Sequence, residues 1–191
     1  MGVQVCAAVP AELGEVPGIA LGVGPLAAGV AAATWLAGAR PAAVVLIGTA
    51  GTYAGGPPIG AVVAADSLAL ASTAAALGLG YVPMGPGLLR ADAALLGLSG
   101  LPPARVLTVT AITTDPPLAA LYAREWEVEH METYAVAYTC AKVGVPFVAL
   151  LGITNHVGPE AHREWLANRD AAQKAAQAAA LRLVQAWEAR G

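Results

Sequence analysis

Apolar residues along this 191-residue chain fall into two patterns. Short, nearly continuous apolar runs bounded by Gly, Pro or a charge mark strands buried on both faces. They occur at 3–9 ahead of Pro10, at 18–23, at Val44–Ile47 stopping at Gly48, at 59–65 ending at Asp66, at 105–112 and at 146–153. Longer stretches with apolar residues three or four apart mark helices at 26–39, 117–126 and 132–143, and an Ala-rich amphipathic helix at 163–189. The Gly- and Pro-rich stretch 48–58 is expected to be a loop. Strands alternating with helices predict an α/β sandwich with a largely parallel sheet. Without a repeat or a linker-like stretch, residues 1–191 are expected to form one domain.

Composition removes several function classes. Hydrophobic types make up 57% of the chain and charged types 12%, which excludes disorder. Ten scattered Lys and Arg against 13 Asp and Glu, a net charge of -3, cannot form a phosphate-tracking stripe, so no nucleic-acid partner is expected. Runs of 24, 25 and 23 uncharged residues lie between Glu15, Arg40, Asp66 and Arg90, each long enough to span a bilayer. Each is broken repeatedly by Gly and Pro, and no run has a Lys/Arg cluster at its flank, so buried strands are the better account and no membrane partner is expected. No positive segment precedes the apolar start, and Glu12 interrupts it, so a signal peptide is not expected. Cys6 and Cys140 sit in apolar segments without a CxxC pair or a Cys/His cluster. They are expected to be buried, reduced thiols of a cytoplasmic protein that uses no metal.

Candidate chemistry concentrates at a few strand exits. Gly22 to Ala27 match G-x-G-x-x-A between a strand and a helix, but no acid that would hold a ribose follows until Asp66, and Pro25 removes an N–H at the helix start. A tight turn explains these glycines better than a dinucleotide. Gly48-Thr49-Ala50-Gly51 follow a buried strand, where small residues form either a plain turn or a surface that a ligand can approach. Glu12 lies just after the first strand, where a carboxylate either is a solvated turn acid or holds water. Glu127, Glu129, His130 and Glu132 precede the helix 133–143. Capping and dipole roles suit Glu127 and Glu129, whereas Glu132, with apolar helix after it, is a candidate ligand group. Thr154-Asn155-His156 end the last strand, and Asn155 is one of two asparagines in the chain. Its amide, donor and acceptor at once, suits a nucleobase edge. His156 is expected to tether the loop rather than to act in catalysis. Trp126 and Trp165 fit a base platform or a core equally well.

Four stretches, in order, resemble the nucleoside phosphorylase/nucleosidase superfamily: Ala8-Val9-Pro10-Ala11-Glu12, Ile47-Gly48-Thr49-Ala50-Gly51, Met131-Glu132-Thr133-Tyr134-Ala135-Val136-Ala137 and Gly152-Ile153-Thr154-Asn155. Within it the likeness is nearest to the futalosine hydrolase family, nucleosidases of menaquinone biosynthesis, through Val9-Pro10-Ala11-Glu12 and through Ile153-Thr154-Asn155 followed by Val157-Gly158-Pro159 and Trp165. The resemblance implies a three-layer α/β/α sandwich around a mixed sheet, a homodimer or larger homo-oligomer, and no cofactor. It implies that Glu12 positions the attacking water, that Glu132 binds the ribose hydroxyls with Met131 against the sugar, and that Gly48, Thr49, Ala50, Gly51 and Thr154 line the substrate. Asn155 stands where adenine-directed members carry an Asp that protonates N7. An amide can only hydrogen-bond there, which suits the N7/O6 acceptor pair of a 6-oxopurine such as the hypoxanthine of futalosine.

Water is the expected second substrate. Phosphorolysis needs a dianion held by Arg side chains as well as backbone N–H groups. Phosphorylases of the superfamily carry an Arg where this chain has Leu46, and residues 1–39 contain no Lys or Arg. Two glutamates facing the site would repel phosphate. The expected reaction is hydrolysis of a 6-oxopurine nucleoside, with methylthioadenosine/S-adenosylhomocysteine hydrolysis or purine nucleoside phosphorolysis as the alternatives. A non-catalytic purine-binding relative is the competing class.

Overall fold

The structure is a computed structural model that describes residues 2–83 and 87–190. The chain runs β1 (Val3–Ala7), α1 (Pro10–Leu13), β2 (Gly18–Ala20), α2 (Pro25–Gly38), β3 (Ala43–Thr52), β4 (Val62–Leu70), α3 (Thr73–Ala76), β5 (Leu89–Arg90) and α4 (Ala93–Ser99). It continues through β6 (Pro103–Thr108), α5 (Pro116–Tyr122), β7 (Val128–His130), α6 (Thr133–Val143), β8 (Phe147–His156) and α7 (Ala161–Glu188).

These strands form one mixed sheet. β1 pairs in parallel with β2 and β3, and β3 in parallel with β8. Past Leu46 the other edge of β3 takes up β7 in antiparallel pairing at Gly51 and Thr52. β8 pairs antiparallel with β4, β4 parallel with β6, and β6 parallel with β7. Pairing therefore closes on itself through β3, β8, β4, β6 and β7, so these five strands expose little free edge.

Helices cover both faces, as the α/β/α expectation requires. On one side α2 packs on α6 over a core that includes Ala28, Ala32, Leu36, Val136, Cys140 and Ile153. On the other, α7 lies on β8 and β3 through Ala172, Ala176, Ala179, Ala180 and Leu183, a stripe recurring every three to four residues. Alanine on that stripe lets the helix axis come close to the sheet, which is one physical use of an Ala-rich composition.

Three expectations need correction. β3 does not stop at Gly48 but continues to Thr52, because both its edges there find partners, β8 and β7. Backbone pairing overrides the poor strand propensity of Gly and Ala. β4 likewise continues past Asp66 to Leu70; a register shift between Ala65 and Ser67 sets Asp66 aside, where it meets Arg90 at 3.2 Å. Glu127 and Glu129 do not cap a helix: Glu129 lies within β7, and Glu127 accepts from the backbone N–H of Arg105 at 2.8 Å.

Cys6 and Cys140 are buried free thiols, and burial pushes both upward, Cys140 to about 12. Among the described residues no helix is long and apolar enough to cross a membrane, and no cluster of metal-ligating side chains occurs.

Candidate active site

A cavity of about 420 Å³ opens at the carboxyl ends of β1, β3 and β8, where open α/β sheets place their ligands. The structure brings Glu12, Thr49, Ala50 and Gly51 into its wall, together with Met131, Glu132, Thr154 and Asn155. Of the residues that the resemblance assigns to the site, Gly48 alone does not line it; the candidates Trp126 and His156 also lie outside its wall. Gly48 lies behind the wall, where a Cβ would stand 2.8 Å from His130 Nε2 and 3.4 Å from Glu12 Oε1.

Glu12 is positioned by its place in a very short helix. Pro10 opens α1, and Glu12, two residues on, folds its side chain back so that Oε2 accepts from the N–H groups of Ala8 at 3.1 Å and Val9 at 3.4 Å. Oε1 accepts from the backbone N–H of Thr49 at 3.1 Å and its hydroxyl at 3.4 Å. Gln177 of α7 donates to the Glu12 carbonyl at 2.9 Å, tying α1 to the long helix. The residue is 7% exposed. Burial pushes its carboxyl above the ordinary carboxylate value; the neighbouring His130 and the N–H groups of Thr49 and Val9 oppose that push, and Glu132 adds to it.

Glu132 stands just before α6. Its Oε1 accepts from the N–H of Gly24 at 2.7 Å. Gly24 has φ of 86°, open to glycine but not to ordinary side chains, so the Gly22–Ala27 segment is a tight turn whose N–H serves a carboxylate. Between the two glutamates sits His130, buried on β7. Its Nδ1 accepts from the N–H groups of Glu132 at 3.2 Å and Thr133 at 3.3 Å, and lies 2.7 Å from the Thr133 hydroxyl. The same Nδ1 lies 3.4 Å from Glu132 Oε2, and Nε2 faces Gly48.

At the other end of the cavity Asn155 is 8% exposed. Its Nδ2 donates to the His156 carbonyl at 3.0 Å, and its Oδ1 lies 2.8 Å from the Thr154 hydroxyl, which is itself 3.1 Å from the carbonyl of Ala50. One Nδ2 hydrogen and one Oδ1 lone pair are left for a ligand. Gly51 lies between Asn155 and Glu129 in register, and a Cβ there would stand 3.0 Å from Asn155 Nδ2, so a flat ring can lie on the bare backbone. Trp165 borders the cavity and donates from Nε1 to Thr49 Oγ1 at 3.2 Å. Trp126 instead packs in a cluster with Tyr53, Leu107 and Tyr122, away from the site. His156 is exposed and tethered to Glu164, whose carboxylate accepts from its N–H at 2.7 Å and lies 3.1 Å from Nδ1.

A model of the phosphorylase superfamily matches residues 11–186. The chain belongs to the phosphorylase superfamily. Among its relatives in that superfamily, futalosine hydrolase from Streptomyces coelicolor is 32% identical over 167 residues, 77% of this chain and 70% of that protein. Among solved structures, the 5′-methylthioadenosine/S-adenosylhomocysteine nucleosidase of Colwellia psychrerythraea in complex with adenine superposes with a TM-score of 0.84 at 18% identity, covering 97% of this chain and 95% of that one. Native futalosine hydrolase of Helicobacter pylori superposes with a TM-score of 0.85 at 15% identity, covering 97% of each chain. At these identities the solved structures share the superfamily fold.

Sequence reasoning missed two buried polar residues of the cavity wall, Glu129 and His130. The signal was faint, because β7 is three residues long and a period of two cannot register over so short a run. Both stand next to Met131 and Glu132 in the sequence, but the helix that follows suggests a capping role for Glu129, and His130 has no pattern of its own.

Proposed function

We propose that the chain is a hydrolase of N-glycosyl bonds, a nucleosidase that cleaves a 6-oxopurine nucleoside, with futalosine as its substrate and hypoxanthine and dehypoxanthine futalosine as products. The observation that carries this reading is the arrangement of three buried groups around one cavity: Glu12, held by three backbone N–H groups, Glu132, held by the N–H of Gly24, and the Asn155 amide. Among the described residues the cavity wall contains no Lys or Arg, which favours water over phosphate as nucleophile. The relationship to futalosine hydrolase supports the choice of substrate.

The mechanism follows from what each group can do. The base leaves from a sugar with oxocarbenium character, and the one free Nδ2 hydrogen of Asn155 donates to N7 and stabilises the charge that moves onto the purine until a proton from solvent completes the free base. Glu12, as a carboxylate, orients water and accepts its proton. Glu132 accepts from the ribose hydroxyls through the lone pairs that Gly24 leaves open, and Met131 packs against the sugar.

A second copy of this chain is the proposed partner. The outer face of α2 is apolar and exposed at Leu26 and Val30, 80% and 59%, and Val23, just ahead of it, also borders the cavity. A face of this kind marks an interaction surface. The test of the reaction is incubation with futalosine, inosine and methylthioadenosine, each with and without phosphate. Free hypoxanthine from futalosine without phosphate is the expected result. Sugar 1-phosphate as product, or a preference for methylthioadenosine, overturns the assignment, and no turnover at all favours a binding protein.

A further inference from the structure

Trp165 has no part in the mechanism above, yet it borders the cavity and donates from Nε1 to Thr49 Oγ1 at 3.2 Å. An indole nitrogen carries a hydrogen and no free lone pair, so it donates only. The Thr49 oxygen is therefore the acceptor in this bond, and its own hydrogen is left for another partner. That oxygen lies 3.4 Å from Glu12 Oε1, and an ionised carboxylate only accepts. A donor-only group at one end and an acceptor-only group at the other fix the sense of the chain. Trp165 donates to Thr49, and Thr49 donates to Glu12. Donation to a hydroxyl oxygen polarises it and strengthens the bond that the hydroxyl itself gives.

The start of α7 holds the indole in place for this. Glu164, just before Trp165, accepts from the His156 N–H at 2.7 Å, and Asn168, one turn after it, donates to the Thr154 carbonyl at 2.9 Å. Both bonds tie the helix to the exit of β8. Along the helix, His162 stacks on the ring with centroids 5.8 Å apart, and the Arg169 guanidinium lies 4.8 Å from the ring centroid. A cation over an indole face attracts the ring electrons, which makes the N–H a better donor. The other titratable groups of the cavity wall, Glu129, His130, Glu132 and His162, stand outside this chain of bonds. A change confined to Trp165 or Thr49 leaves those groups in place.

We propose that Trp165 is a positioning residue whose N–H turns the Thr49 hydroxyl onto Glu12, so that the first turns of α7 help to hold ionised the carboxylate that activates water. For its effect on turnover this inference rests on the nucleosidase reading, which it deepens. Burial works against the charged form of Glu12, and a donor aimed at a carboxylate favours that form. The hydroxyl adds such a donor to the fixed N–H groups of Ala8, Val9 and Thr49. Without the indole the hydroxyl is free to rotate off Oε1, and Glu12 keeps its proton to higher pH. A ring that served only as a wall for the substrate would act on binding instead, and its N–H would be immaterial.

The test follows the Glu12 carboxyl carbon by NMR, in protein made with isotope-labelled glutamate, through pH titrations of the wild type, Trp165→Phe, Thr49→Val and the double variant. The Glu12→Gln spectrum assigns the signal, and Tm is recorded for each protein. Trp165→Phe keeps a ring and removes the N–H. It is expected to raise the Glu12 midpoint by roughly 0.3–1 pH unit, a twofold to tenfold gain in proton affinity, as the partial loss of a bond to a charged group requires. Thr49→Val is expected to raise it at least as far, and the double variant no further than Thr49→Val, because Trp165 acts through the hydroxyl. With futalosine as substrate, kcat of Trp165→Phe is expected to fall by the same factor on the acid limb of its pH profile and to meet the wild type on the plateau, with KM unchanged. An unmoved midpoint in Trp165→Phe, or effects of the two substitutions that add in the double variant, overturns the proposal and leaves the nucleosidase reading standing. A KM that rises while kcat holds does the same. Shifted midpoints in a protein that cleaves no nucleoside support the chain of bonds and overturn the nucleosidase reading. Should Trp165→Phe fail to fold, Thr49→Val decides, and an unmoved midpoint there overturns the proposal.

Discussion

Replacement of Glu12 by Gln sets two effects of opposite sign against each other, and pH separates them. The Glu12 carboxylate accepts from three N–H groups, of Ala8, Val9 and Thr49, and from the Thr49 hydroxyl. Gln keeps one oxygen. Its NH2 must turn either toward Ala8 and Val9 or toward Thr49, donor against donor, and strands at least one buried N–H at a cost of about 1–3 kcal/mol at any pH. Against this, Gln carries no charge to desolvate. Burial raises the Glu12 carboxyl in the folded protein, so the wild type holds its full contribution below the unfolded value, about 4.3, and loses it as pH rises through the higher folded value. Each unit of that raise corresponds to about 1.4 kcal/mol. The Glu12→Gln protein loses nothing over that window. Urea unfolding followed by circular dichroism at pH 4, 6 and 8 is therefore expected to show the variant less stable than wild type at pH 4, with the gap narrowing toward pH 8. Turnover, assayed as released base, is expected to fall by about 10²–10⁴-fold if Glu12 takes the proton of the attacking water, and wild-type turnover to rise with pH as the carboxyl ionises. A stability gap that widens with pH would refute the dominance of desolvation. Unchanged turnover would remove Glu12 from the chemistry.

Three further outcomes are expected. Gly48→Ala places a Cβ 2.8 Å from His130 Nε2, and the ring, pinned at Nδ1, cannot retreat freely; a loss of about 1–3 kcal/mol with reduced turnover is expected, and a variant with wild-type Tm and rate contradicts the close approach. Trp165→Phe keeps the ring but removes the N–H that reaches Thr49 Oγ1; kcat/KM is expected to drop roughly twofold to tenfold, and no change means that this bond does not position Thr49. Leu26→Glu puts a charge on the exposed apolar face of α2 and is expected to dissociate the oligomer in sedimentation, while a wild type that sediments as a monomer refutes the second copy as partner.

The strands and helices that the sequence announces are those with local causes. β1 and β8 are apolar runs with a strong stop signal at the end, and α7 carries its buried stripe over many turns, so pattern alone locates them. Glu12, Thr154 and Asn155 stand out in the sequence as scarce polar residues at the exits of apolar runs, and Glu132 as the acid directly ahead of an apolar helix.

Elements that depend on distant partners are not announced. The second half of β3 is Gly-Thr-Ala-Gly-Thr, a loop by composition, and it is extended because β7 and β8 supply hydrogen bonds on both edges. β7 exists because β3 and β6 flank it, not because three residues favour a strand. Closure of five strands into a ring, the N–H of Gly24 on Glu132 across 108 positions of chain, and the alignment of Glu129, Gly51 and Asn155 are all set by tertiary pairing. By itself the sequence determined which residues are apolar enough to be buried and where the scarce polar ones stand. Only the folded sheet decided which of those polar groups meet around one cavity, because hydrogen-bonded register between strands far apart in the chain leaves no periodic trace in either of them.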